Sequence, residues 1–232
     1  VRLASNEIKK RGLQLVYDQS YPPNTVDFSS VLRAIRAKQP DAVFVAGYPS
    51  DSAAIIRALK EIGVGDSVKL FGGGMVGLQN ATVLQSLGSM LNGVVNYHTW
   101  VPEKSLDFPG VTGFLTRYQA RAKEANVDAL GFYLPPFNYA IGQMLEQAVT
   151  ATKSLDHKVL AKYLHQNEIN TIVGGLRFNE LGEWAQSRMI YVQFRALEDK
   201  NLDQFRSPGK QVIVAPAAHK SGDLLPFAAA RK

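Results

Sequence analysis

The chain has 232 residues, 46% of them apolar and 20% charged, with 19 Gly, 11 Pro and no Cys. This composition excludes a disordered, collagen-like or disulfide-stapled chain and fits one large domain or two modest lobes. The formal charge of +6 does not point to nucleic acid, because the longest basic cluster is Lys9-Lys10-Arg11 and the other cations (Arg33, Arg36, Lys38, Arg57, Lys60) are spread singly along helical faces.

Residues 7–12 read as a helix end, with cations for the C-terminal dipole and Gly12 for the left-handed closing position, yet no N-cap precedes them. Leu13-Gln14-Leu15-Val16-Tyr17 predicts a strand, Phe28, Val31, Leu32 and Ile35 a helix, and residues 41–46 a second strand. A helix with Ile55, Leu59 and Ile62 inward follows, then a strand over 68–71, a short helix around Val83, Leu84 and Leu87, and a strand over 93–97. Strands alternating with helices predict a parallel sheet covered by helices, an α/β architecture. After Trp100-Val101-Pro102 three helices are expected: one through Val111, Phe114, Leu115 and Tyr118, one through Ile141, Leu145, Ala148 and Val149, and one through Val159, Leu160, Tyr163 and Leu164 with Asp156 as its N-cap. Strands return at 171–173, 189–192 and 211–214, the first two flanking the turn Asn179-Glu180-Leu181-Gly182, and a polar tail closes the chain.

No run approaches the ~18 apolar residues of a membrane span, and residues 1–7 show neither the apolar core nor the cleavage site of a secretory signal. Without Cys, the compartment stays open on composition alone.

Residues 72–77 spell G-x-G-x-x-G after a strand and before a helix, the spacing of a dinucleotide fingerprint. The acidic residue expected roughly 20 positions on is absent there, so the glycines read equally as a loop that lets backbone amides approach a ligand. The histidines His98, His157, His165 and His219 lack metal-ligand spacing, and Ser50-Asp51-Ser52 reads as a helix start rather than a nucleophile elbow. No catalytic residue, metal or cofactor is assigned. Ligands of open α/β sheets lie beyond the carboxyl ends of the parallel strands, here the loops over 21–25, 47–50 and 72–75. Tyr48, amphipathic at the tip of a strand and beside a helix N-terminus that attracts anions, is the leading contact or else a packing residue.

The run Tyr17-Asp18, Tyr21-Pro22-Pro23, Asp27-Phe28-Ser29, Pro40-Asp41-Ala42-Val43-Phe44-Val45 and Gly47-Tyr48-Pro49 resembles the second lobe of the branched-chain amino-acid type of periplasmic binding protein, the solute receptors of ABC importers. Thr171-Ile172-Val173-Gly174, Arg177-Phe178-Asn179 and Gly182-Glu183 are similar to that family's strand-turn signature near its C-terminus. Tyr133-Leu134-Pro135-Pro136-Phe137 and 210–214 liken the chain most to members taking up aromatic carboxylates. The resemblance implies a type I periplasmic-binding-protein fold of two Rossmann-like lobes with parallel sheets and hinge crossovers. Residues 1–98 and about 185–232 would form the second lobe, and about 99–184 the C-terminal helical part of a first lobe whose opening strands and signal peptide are absent.

On that reading the chain is a fragment of a longer polypeptide, and its partners are a small carboxylate, a membrane permease of the ABC type, the missing N-terminal segment and no nucleic acid, in the periplasm. The expected ligand contacts are Tyr48, Pro49, Ser50, Gly73, Gly74, Met75, Tyr97, Tyr133 and Phe137, with Trp100 a further stacking candidate. Gly74 stands where the family's amino-acid binders place a glutamate for the ligand ammonium. A buried ammonium without a counter-anion is strongly disfavoured, so a carboxylate lacking an α-amino group is expected. An amino-acid receptor, a nucleotide-binding enzyme built on residues 72–77 and a sensory ligand domain remain the alternatives.

Overall fold

The computed structural model describes residues 2–22 and 25–231, with side chains from residue 5 onward. Pro23 and Asn24 of the expected 21–25 loop lie outside the described residues. Helix α1 (Arg2–Lys10) ends as the sequence predicts: Gly12 takes φ +69°, and the Leu13 N–H reaches back to the Ile8 carbonyl at 3.1 Å. Helix α2 (Ser29–Lys38), strand β1 (Ala42–Gly47), helix α3 (Pro49–Ile62) and strand β2 (Leu70–Met75) follow. Helix α4 (Ala81–Leu87) and strand β3 (Val95–His98) complete this part.

Helix α3 starts at proline, whose missing N–H costs nothing in a first turn, and buries Ile55, Ile56 and Leu59. Its partner α2 buries Leu32 and Ile35 beside Phe28, in one core with Val43 of β1 and Phe71 of β2. Helices α5 (Val111–Ala122), α6 (Pro135–Thr152) and α7 (His157–Gln166) come next. Asp156 caps α7 as expected, accepting from the N–H groups of Lys158 (2.9 Å) and Val159 (3.1 Å). A hairpin of β4 (Ile169–Thr171) and β5 (Gly174–Leu176) precedes β6 (Ile190–Phe194) and β7 (Gln211–Ala215).

The central sheet runs β1-β2-β3-β6-β7. It is parallel over its first three strands and antiparallel where β6 and β7 join. The late strands are therefore continuous with the early ones, and the intervening helices form an excursion from β3 to β6. The end of the chain is less polar in behaviour than in sequence: Phe227 is buried against Phe71, with the Arg231 guanidinium over its ring.

Three expectations are corrected. Residues 13–17 form no strand, and Leu13 and Val16 are exposed. A strand needs a neighbour's hydrogen-bonding edge, and among the described residues no strand pairs with this segment. Secondly, β2 does not stop at Phe71 but continues through the glycines to Met75, pairing with β1 from Ala42↔Leu70 to Gly47↔Met75. Gly72 and Gly73 take φ of +131° and +127°, and a Cβ at either would run into the Val95 carbonyl or the Phe44 ring. Their role is close approach within the sheet, so residues 72–74 are not a loop. Thirdly, Ile172 and Val173 make the hairpin turn between β4 and β5 rather than a strand.

Candidate functional site

The carboxyl ends of β1, β2 and β3 lie along one edge of the sheet, because all three run parallel. From β1 the chain passes through Tyr48 into α3. Beyond β2 it makes a 3-10 turn over Val76–Gln79, and β3 contributes Tyr97 and His98.

Two contacts hold these ends in register. Gly77 lies so close to Pro49 that a Cβ would come within 2.7 Å of the Pro49 Cα, and its N–H donates to the Ser52 hydroxyl at 3.3 Å. Asn96, fully buried, bridges from β3 to the last residue of β2. Its carbonyl oxygen accepts from the Met75 N–H at 2.9 Å, and its amide nitrogen donates to the Met75 carbonyl at 3.0 Å and the Tyr97 carbonyl at 3.1 Å.

Electrostatically the β1 end differs from expectation. The N-terminus of α3 already holds a carboxylate, Asp51, which accepts from the Tyr48 N–H (3.2 Å) and the Ser50 hydroxyl (3.2 Å). The Tyr21 hydroxyl lies 3.5 Å from it, and burial together with this carboxylate pushes the Tyr21 pKa up. Asp51 is 8% exposed and hydrogen-bonded within its own helix start. Its charge offsets the anion-attracting end of α3, and the carboxylate is engaged in capping.

The β3 tip carries a neutral, aromatic group. Tyr97 lies beside Tyr133 and Gln79, and its pKa is pushed up by burial first and by Tyr133 second. Tyr133 is tied in through its carbonyl, which accepts from the Thr99 hydroxyl at 3.5 Å. Tyr48 stands at the rim, 75% exposed, next to Pro49 and Ser50, which are also exposed. Met75 is fully buried. Sequence reasoning missed Gln79: it is 5% exposed and lies beside the Tyr97 hydroxyl, where its hydrogen bond offsets part of the rise in the Tyr97 pKa. The only signal available was a polar residue closing a glycine and apolar run.

Other predicted residues lie elsewhere. Gly73 and Gly74 sit inside β2 against the Phe44 ring, so any contact from them is with backbone within the sheet. Trp100 is a core residue, its ring against Phe132 and its indole N–H on the Leu106 carbonyl at 2.9 Å. Phe137 lies against Trp184 with the rings tilted, centroids 5.6 Å apart. Trp184 in turn lines a cleft of about 560 Å³ together with Thr99, Phe108, Arg177, Arg188 and His219. There Arg188 is committed, donating to the carbonyls of Gly175 and Val173 beside the Phe108 ring, and burial pulls its pKa down. Among the described residues no group of three or more metal-ligating side chains forms, and no helix is long and apolar enough to cross a membrane.

The chain is similar to proteins of known classes. Leu/Ile/Val-binding protein homolog 8 of Brucella abortus (strain 2308) is 28% identical over 193 residues, covering 81% of this chain and 46% of that protein. Homolog 7 of the same organism is 26% identical over 195 residues, covering 81% and 47%. The chain thus spans about half the length of the curated relatives it matches. Among solved structures, an amino acid ABC transporter substrate-binding protein of Pseudomonas fluorescens Pf-5 superposes with a TM-score of 0.69 at 16% identity, over 98% of this chain and 57% of that one. An ABC transporter solute-binding protein of R. palustris, in complex with benzoate, gives 0.66 at 18%, also over 98% and 57%. These likenesses show the fold of the type I periplasmic binding proteins. The family profile described as periplasmic binding protein matches residues 1–199, and with the strand-end geometry and fold in agreement, this chain belongs to that family.

Proposed function

We propose that this chain is part of a periplasmic receptor that binds a small carboxylate, an aromatic acid in preference to an amino acid, and hands it to an ABC permease. The observation that carries the ligand class is the chemistry of the strand ends: Tyr48, Met75, Gln79, Tyr97 and Tyr133 bear no formal charge, and Asp51 is held by its own helix. An ammonium brought to this edge meets only a carboxylate already engaged in capping and is disfavoured by its desolvation. An aromatic ring finds amphipathic rings and a thioether. The benzoate-bound structural relative is in keeping with this reading.

No bond is made or broken in this mechanism. A ligand that touches two lobes favours their closed arrangement, and a closed receptor is the form a permease recognises. Residues 1–98 with about 185–232 are proposed as one lobe, supported by the pairing of β6 with β3. Residues from about 99 to 184 are proposed as helical cover for strands of a second lobe supplied by another segment of the same polypeptide. In support, α6 exposes Tyr139, Ile141 and Leu145, an apolar face that wants a sheet. Strand β1 likewise exposes Phe44, and the Tyr21 hydroxyl donates to its Ala46 carbonyl at 2.9 Å.

Calorimetry on the complete natural polypeptide tests the ligand class. Benzoate-like or hydroxycinnamate-like acids are expected to bind ahead of leucine; leucine bound well ahead of them would refute it. The second reading, an amino-acid receptor, is favoured by the names of the Brucella relatives, and the same titration decides between the two.

A further inference from the structure

The strand ends offer rings but no cation for an acid: Tyr48, Met75, Gln79, Tyr97 and Tyr133 are uncharged, and Asp51 is itself an anion. A carboxylate taken out of water needs a counter-charge as much as an ammonium does. That charge lies where the chain leaves the central sheet after β3 and returns to it at β6, whose first residue Ile190 pairs with His98. Between these two crossings lies the cleft of about 560 Å³, bordered by Thr99 and Ile190 at the sheet and by Phe108, Arg177 and Trp184 across from it. A cavity of that size suits a small aromatic solute. Thr99 joins it to the strand ends, its hydroxyl meeting the Tyr133 carbonyl at 3.5 Å.

Two guanidiniums line the cleft and neither is neutralised. Arg188 is half-buried. Its bonds to the Gly175 and Val173 carbonyls fix its orientation but leave its remaining N–H groups without an acceptor among the described residues, and burial pulls its pKa down with no carboxylate to offset the effect. Arg177 is exposed, and its guanidinium enters no ion pair among the described residues. The one carboxylate in the lining, Glu168, is exposed and bridges to neither arginine. Two positive charges thus stand against one negative, beside the rings of Trp184 and Phe108. A carboxylate matches the guanidinium fork, and an aromatic ring packs favourably against the neighbouring rings. Resting on the aromatic-acid reading above, we propose that this cleft is the carboxylate-holding part of the receptor's site, with Arg177 and Arg188 taking the acid's carboxylate and Trp184 and Phe108 its ring. A solute held so touches both sides of the proposed lobe boundary, which is what a closing ligand must do.

The test is calorimetry on the complete natural polypeptide with benzoate, its neutral amide benzamide, and L-leucine as probes, repeated on Arg177→Gln. The wild type is expected to bind benzoate at least about tenfold more tightly than benzamide, the scale of a charge-assisted hydrogen bond. The variant should lose that preference by weakening benzoate alone, with benzamide within about twofold of wild type. Its ligand-free melting temperature should hold within about 2 °C, because an exposed, unpaired side chain is replaced. Phenylglyoxal labelling of the wild type, read by mass spectrometry, gives a second measurement that needs no variant: Arg177 should react in the free protein and be protected by benzoate. Benzoate bound ahead of leucine with its preference over benzamide intact in Arg177→Gln overturns the cleft and leaves the aromatic-acid reading standing. So does Arg177 unreactive before any ligand is added, since another segment of the polypeptide then fills the cleft. Leucine bound ahead of benzoate overturns that reading, and this inference with it.

Discussion

Asn96→Ala should be the most damaging single side-chain truncation at the strand ends. The asparagine is fully buried and meets three backbone groups, the N–H and carbonyl of Met75 and the carbonyl of Tyr97, at 2.9, 3.0 and 3.1 Å. Alanine leaves all three without a partner. A buried group stripped of its hydrogen bond costs ~1–3 kcal/mol. The two Met75 groups count in full and the Tyr97 carbonyl in part, since Tyr97 is half-buried, so the loss sums to about 3–5 kcal/mol. For a chain of this size that corresponds to a drop of roughly 6–20 °C in melting temperature. Urea unfolding followed by circular dichroism reads it as a lower midpoint at unchanged slope. Because Met75 leads into the turn that carries Gln79, ligand affinity should fall as well, even where the variant remains folded. Asn96→Asp sharpens the test: it keeps the acceptor for Met75 but turns an oxygen toward two carbonyls, so it should be at least as damaging at neutral pH. A loss below about 1 kcal/mol in Asn96→Ala would refute the reasoning, since even one stranded backbone group exceeds that.

Gly142→Ala and Gly72→Ala should move stability in opposite directions. Gly142 lies within α6 with open space where a Cβ would go, so alanine should stabilise by ~0.5–1 kcal/mol, whereas Gly72→Ala, driven into the Val95 carbonyl at φ +131°, should yield little soluble protein. His98 is buried with its Nε2 unpartnered, and burial holds its pKa down at about 3. The unfolded chain therefore binds the extra proton between roughly pH 6.5 and 3, so stability is whole above that window and should fall by up to about 1.4 kcal/mol per pH unit on acidification through it. His98→Phe should flatten that slope in urea titrations at stepped pH, and an unchanged slope would remove His98 as its source. Tyr48→Ala, at an exposed site, should leave the unfolding midpoint within ~0.5 kcal/mol of wild type while weakening ligand binding by about 1–3 kcal/mol; unaltered affinity by calorimetry would make Tyr48 a bystander.

Much of the architecture was legible because local rules and burial agree. Helix starts and stops followed their caps at Asp156 and Gly12, and the apolar stripe of α3 and strand β1 lie where period and composition place them. The site was legible only in outline. Parallel strands imply that residues 47–50, 75–79 and 97 share an edge, but which side chains meet there depends on contacts distant in sequence. Gln79 reaches Tyr97 across 18 positions and Tyr97 reaches Tyr133 across 36. Whether Asp51 was free or committed turned on a backbone N–H three residues back.

By itself the sequence determined the order of helices and strands, the α/β class and the family resemblance, since these rest on periodicity, caps and motifs carried within short windows. The tertiary structure decided that residues 13–17 stay unpaired and that residues 72–74 are strand. It also decided that Asp51 is engaged by its helix and that Gln79 comes to lie beside Tyr97. Strand pairing and the satisfaction of buried polar groups are properties of neighbours in space, and a segment's own residues do not specify which neighbours arrive.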